Sequence, residues 1–299
     1  MSERGGACVV CGGGSLAAHL DVRGSAAESL VATTTSYGSA PDDIVRCVTC
    51  GHMQVATFPP EPDLDEGYAE VSEAAYLDEA AGQRATAACI LDRVQTHVAP
   101  GRLIDLGCWL GFLVSEAGSR GWQASGVEPS VFASRYARDS LGLDVQTGSL
   151  ETARLDPGAF DAVVMGDVIE HLPDPGRALD RVHDLLVPGG VLALALPDAG
   201  SRVARVLGAR WWSVLPTHVQ YFTRASLGRL LDRHGFSVER MQTAPKAFTV
   251  GYYLQRLEGY SPGLAQVAVA LARRLGVADR LVWPDLRDRM LVIARRRAT

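Results

Sequence analysis

The run Arg102-Leu-Ile-Asp-Leu-Gly-Cys-Trp-Leu-Gly-Phe112 restricts the fold more than any other part of the chain. It reads as a short buried strand that breaks into a glycine turn and opens a helix. That geometry sets backbone N–H groups and a helix N-terminus beside a polar ligand. Twenty-three residues after Asp105, a second apolar strand ends in Gly126-Val-Glu128-Pro129. A carboxylate at that offset can take two hydrogen bonds from the hydroxyls of a ribose.

From Gly101 onward, strand and helix patterns alternate, which predicts a doubly wound parallel sheet. The expected strands are Leu103 to Leu106, Trp122 to Val127, Asp144 to Thr147, Ala159 to Met165 and Val191 to Leu196. The last of these is apolar throughout, as a strand buried on both faces should be. Pro175 should open a helix with Ala178, Leu179, Val182, Leu185 and Leu186 on one face, ended by Gly189-Gly190. Thr223 should cap a helix from Ala225 to His234, Gly235-Phe236 should start a sixth strand, and Met290 to Ala294 should form the last.

A glycine-rich strand–turn–helix also occurs in nucleotide-dependent dehydrogenases. Asp105 argues against them, because a carboxylate there repels a pyrophosphate but suits an ammonium group. Together with Phe160-Asp-Ala-Val-Val-Met-Gly-Asp-Val-Ile-Glu-His171 and Leu186-Val-Pro-Gly-Gly-Val-Leu-Ala-Leu, the run resembles the class I S-adenosylmethionine (SAM) dependent methyltransferases of the small-molecule, natural-product type. The resemblance covers roughly residues 100–240 plus a final strand. It implies a Rossmann-like seven-stranded sheet with the last strand antiparallel, and SAM as cofactor. It also implies Asp105, Gly107 and Gly111 around the methionine end, Glu128 on the ribose, Pro129, Ser149 and Leu150 by the adenine, and Asp167 near the sulfonium. Trp109 stands where the family has its middle glycine, so its indole must point away from the cofactor or cover part of it.

For acceptor chemistry, His218 lies in the aromatic segment Trp211–Thr223, which resembles a substrate-side loop. It is the first candidate for a general base, with His171 and Tyr221 beside it. Each histidine has a plainer reading, as a residue that fixes a loop through a backbone carbonyl. Asp167-x-x-Glu170-His171 also resembles the divalent-ion set of ubiquinone-biosynthesis O-methyltransferases, with Asp in place of the first Glu, although the pattern is common without metal.

Cys8-Val-Val-Cys11-Gly12 and Cys47-Val-Thr-Cys50-Gly51 form a separate signal. Two such knuckles supply the four thiolates of a closed tetrahedral zinc site, and rubredoxin-like iron uses the same ligands. Short strands of a ribbon are expected near Leu20–Arg23, Ser29–Thr33 and Ile44–Arg46. Cys89 and Cys108 read as buried packing residues.

The expected organisation is a zinc-ribbon-like module at 1–58, a helical connector at 59–99 with Tyr68 and Tyr76 as candidate mouth residues, and a SAM-binding core at 100–243. An insertion at 244–288 follows as a lid or homodimer contact, then a final core strand at 289–299. Net charge is −5 and Lys246 is the single lysine, so nonspecific phosphate-backbone binding is disfavoured. No apolar run approaches a membrane span and no leader pattern is seen, so a cytoplasmic protein without nucleic-acid or membrane partners is expected. The leading expectation is methyl transfer to a small molecule, oxygen first and nitrogen or carbon next, in natural-product or deoxysugar biosynthesis. An RNA methyltransferase with a zinc module and a non-catalytic binding protein of the same fold are the alternatives.

Overall fold

The computed structural model describes residues 6–22, 37–60 and 79–298. The expected strand at Ser29–Thr33, together with Tyr68 and Tyr76, lies outside the described residues. The chain begins with three short strands, β1 (Leu16–Leu20), β2 (Ile44–Cys47) and β3 (Met53–Val55), and then helix α1 (Ala80–Val94). The alternating core follows as β4 (Arg102–Leu106), α2 (Phe112–Ser119), β5 (Gln123–Glu128), α3 (Val131–Asp139), β6 (Val145–Thr147), β7 (Phe160–Gly166), α4 (Pro175–Leu185) and β8 (Leu186–Pro197). Next come α5 (Arg202–Leu207), β9 (Gln220–Tyr221), α6 (Arg224–Arg233) and β10 (Phe236–Thr243). The insertion holds β11 (Phe248–Thr249), α7 (Val250–Gln255), α8 (Pro262–Arg274) and β12 (Leu281–Val282), and β13 (Arg289–Arg296) closes the fold.

Seven strands form the main sheet in the order β10-β13-β8-β7-β4-β5-β6, and β13 runs antiparallel to both of its neighbours. This is the Rossmann-like sheet that the alternating pattern implied. Its two faces are visible along single strands. On β7, Val163 and Met165 pack with Leu179 and Val182 of α4, while Ala162 and Val164 pack on the other face with Leu91 and Val94 of α1. Side chains two apart share a face, so a sheet buried on both sides needs unbroken apolar runs.

Asp174 caps α4 by accepting from the Arg177 N–H at 2.9 Å, with Pro175 in the first turn. The helix ends at Leu185, earlier than the expected Gly189-Gly190 stop, and the chain passes directly into β8. Pro188 accounts for this: its ring disfavours helical backbone at Val187 and it has no N–H to give. Cys89 is exposed rather than packed, whereas Cys108 is buried as expected.

The first three strands form an antiparallel sheet that gains a fourth member from the core, in the order β1-β2-β3-β9. Met53 pairs with Tyr221 and Gln54 with Gln220. Its first strand lies at Leu16–Leu20, somewhat earlier than the expected Leu20–Arg23. The cysteine module is therefore hydrogen-bonded to the segment that carries His218. No helix among the described residues is long and apolar enough to cross a membrane.

Candidate active site

One cavity of about 900 Å³ opens at the C-terminal ends of β4, β5 and β7, the place where open α/β sheets bind ligands. Asp105, Gly107, Glu128, Pro129, Ser149 and Leu150 line one end. Gly107 has φ +76, and a Cβ there would lie 2.5 Å from Val168, so the turn tolerates only glycine. Gly111, at φ +80, does not line the cavity; a Cβ on it would meet Leu143 at 2.6 Å, so its role is to seat α2 against α3. Trp109 adopts φ 48 in place of the missing glycine. Its ring packs with the cluster of Leu110, Phe112 and Ala133 while the residue still contributes to the cavity wall.

Glu128 is tied at both oxygens, accepting from the N–H of Trp109 and of Ser130 at 2.8 Å each. Burial nevertheless raises its pKa to about 7, against the pull of those two N–H groups. Asp105 is pushed well above the usual carboxylate range by burial and by the neighbouring Glu128. Both carboxyls are nearly inaccessible, and neither has an ion-pair partner among the described residues. Buried acids of this kind call for a cation or for hydroxyl donors.

The other end is built from distant parts of the chain. Asp167, at the tip of β7 with φ 56, holds Lys246 and Arg289, both at 2.5 Å. Burial would raise its pKa, but Arg289 and then Lys246 more than offset that and hold it well below the usual range. His171 donates from Nδ1 to the Thr217 carbonyl at 2.9 Å, and its ring stands edge-on to His218 with centroids 4.5 Å apart. Burial lowers His171 to about 4 and His218 well below its ordinary value, the latter helped by His171 itself, so both rings are neutral near pH 7.

Beside them, Glu170 is buried with neither carboxyl oxygen hydrogen-bonded, and burial followed by the Asp167 charge raises it to about 8. Ligand-capable atoms of Glu170, His171 and His218 lie within 4.8 Å of one another, and Asp167 is not in that group.

Tyr221 is not brought to this cavity. Its hydroxyl donates to the His218 carbonyl at 3.1 Å, and its ring packs against the cysteine module, where it lines a smaller hollow. Lys246, Arg289 and the insertion residues Tyr253, Arg256 and Tyr260 also line the main cavity. Sequence alone singled out neither cation of this pair as a site residue: being the single lysine of an arginine-rich chain is the signal that could have found Lys246, and Arg289 carries none.

In the module, Cys8 and Cys50 have sulfurs 3.5 Å apart, and those of Cys11 and Cys47 are 3.6 Å apart. All four fall within 4.8 Å of one another. Gly12 and Gly51, at φ 71 and 73, close the two knuckles by donating to the carbonyls of Cys8 and Cys47.

A family model described as a methyltransferase domain matches residues 79–240, more than half of the chain. Over 166 residues the chain is 25% identical to the ubiquinone biosynthesis O-methyltransferase of Chromobacterium violaceum, covering 50% of this chain and 72% of that protein. Over 114 residues it is 39% identical to the protein of the same name from Xanthomonas campestris pv. campestris, covering 35% of this chain and 47% of that one. A solved Bacillus halodurans methyltransferase candidate shares the fold at 13% identity and a TM-score of 0.50, covering 71% of this chain and 99% of that one. With more than half its length matched by that domain, and with its strands in that order, the chain belongs to the class I SAM-dependent methyltransferases.

Proposed function

We propose that the protein transfers the methyl group of SAM to a small-molecule acceptor bound between His218 and the insertion. The observation that carries this reading is the continuity of the cavity from Asp105 and Glu128 to His171 and His218. Its volume lies in the upper part of the range of small-molecule sites, consistent with two ligands end to end. The residues at the acidic end fit the cofactor: two buried carboxyls lack a cation, and Gly107 allows close backbone approach. SAM, when bound, supplies an electrophilic methyl group beside a positive sulfur.

The chain's own residues then align the acceptor and remove its proton. Glu128 would take the ribose hydroxyls, and Asp105 the ammonium of the methionine part. His218, neutral and buried, has a lone pair able to accept a proton from the attacking hydroxyl. His171, its Nδ1 committed to Thr217, stands edge-on to His218 and would orient that ring. Tyr253, Arg256 and Tyr260 of the insertion wall the site and act as its lid.

The relatives are named as O-methyltransferases, which favours oxygen as the acceptor atom, with nitrogen and carbon next. An acceptor from natural-product or deoxysugar biosynthesis fits the cysteine module and the insertion, both of which lie outside the matched domain. Nucleic acid fits poorly, because the chain is acidic and His218, the proposed base, is buried.

Zinc fits the four cysteines. A zinc–sulfur distance of about 2.3 Å in a tetrahedron separates sulfurs by roughly 3.8 Å, within the spread of sulfur separations seen here. All four positions would be protein ligands, so this metal would be structural. The decisive experiment is calorimetric titration with S-adenosylhomocysteine (SAH), followed by SAM turnover on a panel of phenols, nucleotide-linked sugars and amines. A folded protein that neither binds SAH nor methylates any of them would leave only the non-catalytic alternative.

A further inference from the structure

Among the cations lining the acceptor end, Lys246 and Arg289 share Asp167. Arg256 has no carboxylate partner among the described residues. Its Nε donates to the Tyr37 hydroxyl at 2.9 Å and one terminal nitrogen donates to the Tyr252 hydroxyl at 3.2 Å. The guanidinium lies against both rings, at 5.5 and 5.7 Å from their centroids. Two of its five N–H groups are thus used and three remain. Tyr260 completes the wall, its ring 5.1 Å from that of Tyr37 and its hydroxyl donating to the Arg210 carbonyl.

Two hydrogen bonds and two aromatic faces hold this cation in place, and none of them neutralises it. The aromatic faces and the two phenol oxygens fix the direction of the fork, while its remaining donors have no acceptor among the described residues. The nearby carboxylates that line the cavity are occupied elsewhere. Asp288 accepts from the indole N–H groups of Trp211 and Trp212, and Asp285 accepts from Thr243 and from the Arg287 N–H. Tyr37 accepts from Arg256, so its own hydroxyl proton is left to donate. A guanidinium set into an aromatic wall with its donors unspent is complementary to a carboxylate or phosphate, which it can bind through two parallel hydrogen bonds.

We propose that Arg256, with the Tyr37 hydroxyl, forms a subsite for an anionic group on the acceptor, a phosphate or a carboxylate. This rests on the methyl-transfer reading of the same cavity. The subsite is made by the insertion and by Tyr37, which lies between the two knuckles of the cysteine module, not by the glycine turn and strand tips that would hold the cofactor. An acceptor anchored there by its anionic end would extend its neutral, reacting end toward His218. The same anchor would supply binding energy remote from the reacting atoms, which can be used for alignment.

The test is calorimetric titration of the full chain, with and without saturating SAH, using pyrophosphate, inorganic phosphate and benzoate as probes. Wild-type protein should bind at least one of them saturably. Arg256→Gln should weaken that binding roughly tenfold or more while leaving SAH affinity unchanged. Arg256→Lys, which keeps the charge but loses the fork, should fall between the two, and Tyr37→Phe should weaken binding by a few-fold.

Preference for pyrophosphate or phosphate would identify a phosphorylated acceptor, and preference for benzoate a carboxylate; either supports the subsite. Equal binding by wild type and Arg256→Gln, or no binding by wild type, would overturn it. Loss of SAH affinity in Arg256→Gln would also overturn it, by placing the cofactor's own carboxylate at Arg256. If wild type failed to bind SAH at all, the methyl-transfer reading would fall, and the SAH-free titration would still decide whether Arg256 binds anions.

Discussion

The two ends of the cavity handle charge in opposite ways. At the end formed by β4 and β5, Asp105 and Glu128 are buried acids without a cation among the described residues, and Glu128 is held by two backbone N–H groups. At the end formed by the tip of β7, the Trp211–Thr223 segment and the insertion, one Asp167 faces two cations and Arg256 faces none of the acids. The first end is short of positive charge, whereas at the second Asp167 pairs Lys246 and Arg289 and Arg256 is left without a carboxylate partner among the described residues. On the proposed reading, a cationic donor and an acceptor carrying negative charge would be sorted along one cavity by that difference before any shape recognition enters.

The largest expected effect comes from the base proposed at the second end. His218→Asn should lower kcat by about 10²–10⁴-fold, the usual span for a positioned proton acceptor. SAH affinity should stay the same, since the ring lies at the far end. Parallel loss of SAH binding, read by calorimetry, would mean that the two ends are not separable.

Asp167→Asn tests the pairing of the two cations at the second end directly. It strands Lys246 and Arg289 and should cost about 2–3 kcal/mol in urea unfolding, less than a fully buried pair, because the Asp167 side chain keeps 31% exposure. With its folded pKa held low, its contribution is present above the unfolded value of 3.8 and is lost as pH falls toward the folded one. A flat stability profile below pH 4 would remove the claim.

The acidic end should show the reverse pH behaviour. Glu128 is raised to about 7, so its contribution to apo stability is full below its unfolded value of 4.5 and is lost as pH rises through 7. Hydroxyl donors on a ribose favour the ionised form, so SAH affinity should rise roughly tenfold between pH 6 and pH 8. Glu128→Ala should weaken binding by about 1–3 kcal/mol and flatten that dependence. Unchanged affinity would mean that the ribose lies elsewhere.

The same contrast explains what could be read in the sequence. The acidic end is local: strand, turn and helix follow one another within residues 102–152, and periodicity with glycine spacing specifies them. Even there Gly111 was misplaced, because spacing cannot tell a glycine that admits a ligand from one that admits Ala137 and Leu143. The second end is assembled from residues near 37, 170, 218, 250 and 288, and no pattern in a linear sequence announces which of these will meet. The histidines were recognisable by residue type and by the aromatic segment around them. Arg256 was invisible among the many arginines, and Tyr221 sits on the opposite face of its two-residue strand from the one a catalytic role requires.

The smallest effect probes the link between the cysteine module and the acceptor end. Gln220 accepts from Nε2 of His52, beside the second knuckle, at 2.9 Å, and donates to the carbonyls of Leu172 and Pro173 at 3.1 and 3.3 Å. His52 is buried and lowered to about 4 by that burial, so the ring is neutral and Nε2 carries the proton. One side chain therefore joins the module, the segment after His171 and the segment that bears His218. Gln220→Ala leaves a buried N–H and two carbonyls short of a partner and should cost about 1–2 kcal/mol. If the module positions the proposed base through this contact, kcat should fall several-fold with SAH affinity intact, and chelation of the zinc proposed for the four cysteines should produce the same split. Unchanged kcat in the variant, together with a kcat drop on chelation, would assign the coupling to the β3–β9 pairing instead of to the side chain.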